Sequence, residues 1–258
     1  MPRKPRKKSN SGIYHIVMRG INRQNIFEDD EDKQKFLAVL QHYKEISEYE
    51  LFAYCLMGNH VHLLLRVGKE PLEQIMRRIC GKYVYWYNKK YERIGYLFQD
   101  RFKSEPVEDD TYFLTVLRYI HNNPCKAGLV KDMGAYKWSS YSSYITSDKK
   151  KNTQLVDVGF ALELFDAVQE KAVKSFSAYH EQPNDDTCLD IQNIFPITDR
   201  EARKIIKRLC EINYVPNLQK LDKQQRNYYL RQLKEEYHLS IRQIERLTGI
   251  NRGIISRA

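Results

Sequence analysis

Several things are missing from this sequence, and each absence removes a class of protein. No stretch reaches the ~18 unbroken apolar residues of a membrane span. The opening MPRKPRKKSN is basic but has no apolar run behind it, which argues against a secretory signal. The five cysteines (Cys55, Cys80, Cys125, Cys188 and Cys210) form no C-x-x-C pair, so the spacing for zinc binding or thiol exchange is lacking. Their odd number and wide separation predict free thiols in a reducing cytoplasm. No GxxxxGK[ST] loop occurs, which removes P-loop nucleotide hydrolysis and an attached helicase. No internal repeat stands out.

What is present is a basic chain with enough apolar material for a core. Of 258 residues, 42% are hydrophobic and 12% aromatic, and 43 Lys+Arg face 33 Asp+Glu, a net charge of +10. Residues 1–145 carry 24 basic and 17 acidic side chains (+7), residues 146–195 carry 5 and 9 (−4), and residues 196–258 carry 14 and 7 (+7). Two basic blocks flanking an acidic spacer predict a domain at 1–145, an acidic linker with a short helix at 146–195, and a helical region at 196–258. A basic surface attracts polyanions, nucleic acid foremost, although solubilising charge is the plainer alternative.

Periodicity supplies the order of elements. Ile13, Tyr14, Ile16 and Val17 read as a strand between Gly12 and Gly20. The acidic run at 28–32 suits the positive end of a helix dipole, and Phe36, Leu37, Leu40, Tyr43 and Ile46 follow at helical spacing. Runs 50–57 and 60–67 flank Gly58-Asn59, a two-residue hairpin signal. Residues 71–91 predict a helix opened by Pro71 and weakened by Gly81. Residues 98–107 predict a strand. Asp109 or Asp110 then caps a third helix that Pro124 should end. The order β-α-β-β-α-β plus a final helix is that of an α+β, ferredoxin-like split βαβ domain. Its antiparallel sheet would be covered by helices on one face and followed by an all-α C-terminal extension.

The His60-x-His62 pair carries the chemistry. Alternate strand residues share a face, so both imidazoles project together from apolar surroundings, where a divalent cation would compensate their burial. Two separately satisfied histidines at a strand edge are the plain alternative. In RYIHNNP, Tyr119 and Asn123 lie four residues apart on one helix face. Two imidazoles and an amide oxygen would leave coordination positions open for a phosphate, and the phenol could attack it. Tyr112, one heptad earlier, is the competing tyrosine.

At GNHVHLLL and RYIHNNP the chain resembles the single-tyrosine HUH transposases of the IS200-like and REP-associated type. YHIVMRGINRQNIFEDD, GYLFQDRFKSEPVEDD and NPCKAGLVKDMGAYKWSSY extend the match over roughly residues 12–145. The resemblance implies a ferredoxin-like domain acting on single-stranded DNA, often near a hairpin, with magnesium or manganese. It implies attack by the tyrosine on the scissile phosphate, giving a 5′-phosphotyrosine and a free 3′-hydroxyl. By position, His60 and His62 would be metal ligands, Tyr119 the nucleophile and Asn123 the third ligand. Imidazole suits transition metals better than hard magnesium, which gives manganese equal weight.

Other features admit two readings. His15 could approach the site from the first strand, or simply be a satisfied core or surface histidine. KYVYWYNKKY (82–91) interleaves bases and aromatics as nucleic-acid surfaces do, yet Tyr83, Trp86 and Tyr87 have the spacing of packing residues. Arg101 and Lys103 could track a DNA backbone or face solvent. RKPRKK could add phosphate contacts. LSIRQIERLTGINRGIISRA resembles a helix-turn-helix in which Arg242, Asn251 and Arg252 would meet DNA. The leading expectation is a cytoplasmic, metal-dependent single-strand transposase with single-stranded or hairpin DNA as partner and no membrane association; a second copy of the chain as partner is left open. The alternatives are a domesticated hairpin-binding regulator without cleavage and a replication initiator or relaxase.

Overall fold

The computed structural model describes residues 6–146, 155–190, 199–237, 239 and 241–258. The chain divides into two units, Met1–Ile191 and Gln192–Ala258.

The first unit opens with β1 (Ile13–Arg19), α1 (Asp30–Ser47), β2 (Glu50–Leu56), β3 (His60–Arg66), α2 (Leu72–Lys90), β4 (Lys103–Pro106) and α3 (Asp110–Lys126). The helix starts follow from their caps. Asp29 accepts from the Asp32 backbone N–H while the Asp32 carboxylate accepts from that of Asp29, a reciprocal capping box for α1. Asp109 accepts from the Tyr112 N–H at the head of α3. The strands pair antiparallel in the order β2-β3-β1-β4. This is the split βαβ arrangement, because each helical crossover skips one strand.

Alternation in β1 and β3 gives the sheet two different faces. Met18 and Val61 are register partners on one, and the Cys80 thiol of α2 touches the Met18 sulfur at 3.4 Å. His15, Val17 and Arg19 share the other face with Leu64, His62 and His60, their register partners. α1 and α2 cover the first face. α3, the additional helix, lies across the second, where Tyr119 packs its ring against His62.

Three local expectations change. The last strand is four residues long: Phe98 makes only an isolated bridge to Gly20, and Asp100 then accepts from the Arg101 N–H in a side-chain turn that interrupts the ladder. Pro124 lies inside α3 because, so near the end, its missing N–H costs one bond while the Ala127 N–H still reaches the Asn123 carbonyl. Gly81 sits within an unbroken α2.

Residues 155–190 also differ from the acidic linker expected at 146–195. α4 (Tyr141–Ile145) is followed by α5 (Gly159–Glu163) and α6 (Gln169–Glu181), and Leu155, Val156, Ala161, Leu162, Ala172 and Phe176 are buried in the same core as the sheet. Phe160 packs on Phe52 and Phe113 at ring-centroid distances of 5.4 and 5.1 Å. The Asp157 carboxylate accepts from the Leu51 N–H at 2.8 Å and pairs with Lys44 at 2.7 Å. The acidic charge belongs to solvent-facing and ion-paired side chains, and the apolar ones complete the domain.

The second unit is helical: α7 (Asp199–Leu209), α8 (Lys223–Glu235), α9 (Ile241–Thr248) and α10 (Arg252–Arg257). They surround a separate core that includes Ile206, Leu218, Leu230, Leu233, Ile244 and Ile255. Gly249 turns the chain between α9 and α10 at φ +75°, a conformation that favours glycine. Asn251 caps α10 by accepting from the Gly253 N–H at 2.8 Å. The sequence patterns Thr198-x-x-Glu201 and Ser240-x-x-Gln243 predict capping boxes, but Thr198 and Ser240 lie outside the described residues.

Candidate active site

β3 delivers His60 and His62 to the sheet face beneath α3, and hydrogen bonding fixes how they present their nitrogens. The Glu105 carboxylate can only accept, so His15 donates to it from Nδ1 at 2.8 Å. His15 Nε2 must then accept, and it does so from His62 Nδ1 at 3.0 Å. This leaves His62 Nε2 with a bare lone pair, fully buried and without a hydrogen-bond partner among the described residues. His60 Nδ1 meets the Asn59 amide oxygen at 2.7 Å, while the Asn59 amide NH2 donates to the Arg23 carbonyl. That polarity makes His60 a donor at Nδ1 and leaves its Nε2 as an acceptor too. Burial, then the nearby Arg19 guanidinium, lowers His60 to a pKa of about 4. Burial, then neighbouring His15, holds His62 well below the ordinary histidine value. Both imidazoles are therefore neutral at neutral pH.

Tyr119 and Asn123 reach the same place from α3. The Tyr119 ring centroid lies 5.7 Å from that of His62 and 5.9 Å from that of His15, and the residue is 7% exposed. Asn123 donates to the Tyr119 carbonyl at 3.1 Å, and its side chain also hydrogen-bonds His60 and the Tyr119 hydroxyl. Burial pushes the Tyr119 phenol up, and the carboxylate of Asp190, hydrogen-bonded to it, pushes further. Tyr112, the competing tyrosine, hydrogen-bonds Glu105 and Cys188, at the far end of the Glu105–His15–His62 chain from the open His62 nitrogen.

The structure thus brings His60, His62, Tyr119 and Asn123 together within one chain. Arg101 and Lys103 are exposed and lie outside this group, Arg101 lining a separate cavity. Asn251 and Arg252 are exposed in the second unit, Arg252 paired with Glu245. The Arg242 side chain lies outside the described residues. In the 82–91 segment, Tyr83 and Tyr87 are core residues that donate to the Ile26 and Asn25 carbonyls, whereas Tyr85 is 71% exposed.

Sequence reasoning left His15 open between two readings and missed two further participants, Glu105 and Asp190. His15 is a satisfied histidine, but His62 is what satisfies it; the signal was its position on the strand that a split βαβ order places beside β3. Glu105 completes that chain from β4, and its carboxylate also accepts from the Leu189 N–H at 2.8 Å. Asp190 arrives on the segment after α6, which Arg118 anchors through Asp186 at 2.7 Å; no local pattern announces it.

Among the described residues, no group of three or more His, Cys, Asp or Glu side chains is arranged to hold a metal ion. Here the third donor would be an amide. Two imidazole lone pairs, one of them fully buried and unpartnered, fit a divalent cation that draws its remaining ligands from water or substrate. Nitrogen donors favour manganese over magnesium.

Residues 8–123 match the family model described as Transposase IS200 like. This segment is therefore similar to IS200-like transposases. A Haemophilus influenzae protein named as a REP-associated tyrosine transposase is 27% identical over 124 residues, covering 43% of this chain and 68% of the relative. A solved structure of a REP-associated tyrosine transposase bound to a REP hairpin superposes with a TM-score of 0.49 at 17% identity, covering 61% of this chain and 93% of that one. A Deinococcus radiodurans protein named as a transposase gives a TM-score of 0.34 at 19% identity, covering 47% and 97%. No helix among the described residues is long and apolar enough to cross a membrane.

Proposed function

We propose that this domain cuts and rejoins single-stranded DNA, with Tyr119 as nucleophile, in the vicinity of REP-like hairpins and in the cytoplasm. One observation carries the reading. The Tyr119 phenol, two neutral imidazoles and the Asn123 amide converge between β3 and α3 within the segment that matches the IS200-like transposase model. The REP-associated name of the Haemophilus relative supports hairpin DNA as the partner.

A divalent magnesium or manganese ion held by His60, His62 and Asn123 would neutralise phosphate charge and orient it for in-line attack. Everything else falls to the chain itself. Glu105 and His15 fix the tautomer of His62, so that its lone pair faces the cleft. The Tyr119 oxygen forms a bond to phosphorus while the bond from phosphorus to the 3′-oxygen breaks. The phenolic proton passes to Asp190, the carboxylate hydrogen-bonded to it, and the departing 3′-oxygen takes a proton from solvent. The products are a 5′-phosphotyrosine and a free 3′-hydroxyl, and attack by a 3′-hydroxyl on the phosphotyrosine reseals the strand. In the second unit, Arg242, Asn251 and Arg252 are the residues we assign to further DNA contact.

The test uses hairpin-containing single-stranded DNA labelled at its 3′ end, incubated with manganese. Wild-type protein should acquire the label covalently, and Tyr119→Phe should not. An adduct that survives Tyr119→Phe contradicts the assignment. Tight binding by the wild type with no adduct would instead make the protein a hairpin-binding regulator.

A further inference from the structure

The outer face of α2 carries a feature that core packing does not require. Gly81 sits mid-helix and exposed, and a Cβ built there would meet nothing within 4 Å. Glycine in a helix interior costs about 1 kcal/mol relative to alanine, so fold stability alone would favour alanine. A bare backbone at the surface suits the close approach of something from outside. One turn on, in line with Gly81, Tyr85 is 71% exposed, and exposed Lys82 and Lys89 flank it.

This face adjoins a concave wall. Val84, next to Tyr85, lines a cavity of about 500 Å³ whose other side is the 95–101 loop, with Tyr96, Phe98 and Arg101 among its lining residues. Tyr96 is 85% exposed, an unusual state for a ring with that much apolar surface. The exposed Glu73 and Asp100 sit among these bases, but Lys82, Lys89, Arg77 and Arg101 outnumber them. The loop meets β1 at the strand end nearest His60: Gln99 donates to the Arg19 carbonyl at 2.9 Å, Phe98 bridges Gly20, and Arg19 is the register partner of His60.

We propose that this groove binds the unpaired DNA flanking the phosphate attacked by Tyr119, with bases stacked on Tyr85 and Tyr96 and the phosphate backbone passing close over Gly81. The proposal rests on the nuclease reading for the identity of the strand. Exposed rings beside cations recognise unpaired bases, whose faces are open; a duplex keeps those faces stacked on one another. Lys82, Lys89 and Arg101 supply the phosphate contacts.

The experiment measures anisotropy of a fluorescein-labelled oligothymidylate, and of a blunt duplex of the same length, with full-length protein carrying Tyr119→Phe so that no strand is cut. The oligothymidylate should bind more tightly than the duplex. Tyr85→Ala and Tyr96→Ala should each weaken it by about 5- to 150-fold, the range for losing one stacked base. Gly81→Leu should leave the melting temperature unchanged or higher and still weaken binding, which a purely structural glycine would not do. Wild-type-like affinity in Tyr85→Ala and Tyr96→Ala overturns the proposal, as does undiminished binding by a folded Gly81→Leu protein. Failure of the covalent-adduct test would remove the nuclease reading and leave these binding results standing.

Discussion

His15 and His62 meet at 3.0 Å on the sheet face, and His121 and His180 meet at the same distance between α3 and α6. Both pairs are buried. In the second pair, His180 donates to the Phe176 carbonyl at 2.9 Å and accepts from His121, which in turn accepts from the Ser140 hydroxyl at 2.8 Å. All four ring nitrogens there have protein partners. In the first pair the chain runs from Glu105 through His15 to His62 and stops at an open nitrogen. Burial and histidine pairing are therefore common to a structural cross-link and to a site; the unfilled acceptor separates them. A network completed by the protein itself only holds the fold, whereas one left a bond short calls for a ligand.

Mutations should break the two pairs in different currencies. Removing the open nitrogen with His62→Ala, or its neighbour with His60→Ala, should cut strand cleavage by at least about a thousandfold, the scale of disabling an activated nucleophile, in a single-turnover adduct assay. His121→Ala should instead cost about 2–4 kcal/mol in urea unfolding, because it leaves a cavity and orphans His180 Nε2. Its adduct yield per folded molecule should match the wild type. Glu105→Gln and His15→Ala keep both proposed ligands but loosen the tautomer of His62, and should weaken manganese binding by about 10- to 100-fold in calorimetric titration.

The smallest expected effect is a pH dependence of stability. Burial lowers His180 to a pKa of about 4, against 6.5 for the unperturbed side chain. Between those values His180 binds more protons in the unfolded chain than in the folded one, so its contribution to stability should fall as pH drops from about 6.5 to about 4 and level off below. Chemical denaturation at stepped pH checks this, and His180→Ala should flatten the slope.

Sequence patterns reached the site because its four central residues sit in regular elements. His60 and His62 share a strand face by alternation, and Tyr119 and Asn123 share a helix face by their spacing of four. The sheet order was legible for the same reason. Participants that depend on tertiary meeting were not. Glu105 comes from a strand cut short by the Asp100 turn, and Asp190 from an irregular segment anchored by an Arg118–Asp186 pair 68 residues apart in sequence. Residues 155–190 looked like a spacer because their acidic composition masked a sparse apolar pattern, and only burial against Phe52 and Phe113 reveals that they complete the first unit.

Pulsed electron paramagnetic resonance of the manganese-loaded protein addresses the open nitrogen most directly, since coupled imidazole nitrogens modulate the echo. The wild type should show histidine nitrogen coupling, His62→Ala should lose part of it, and His121→Ala should leave it unchanged. A bound manganese with no nitrogen coupling, or coupling that persists when both His60 and His62 are replaced by alanine, would contradict the assignment of this pair as the ligand-binding one.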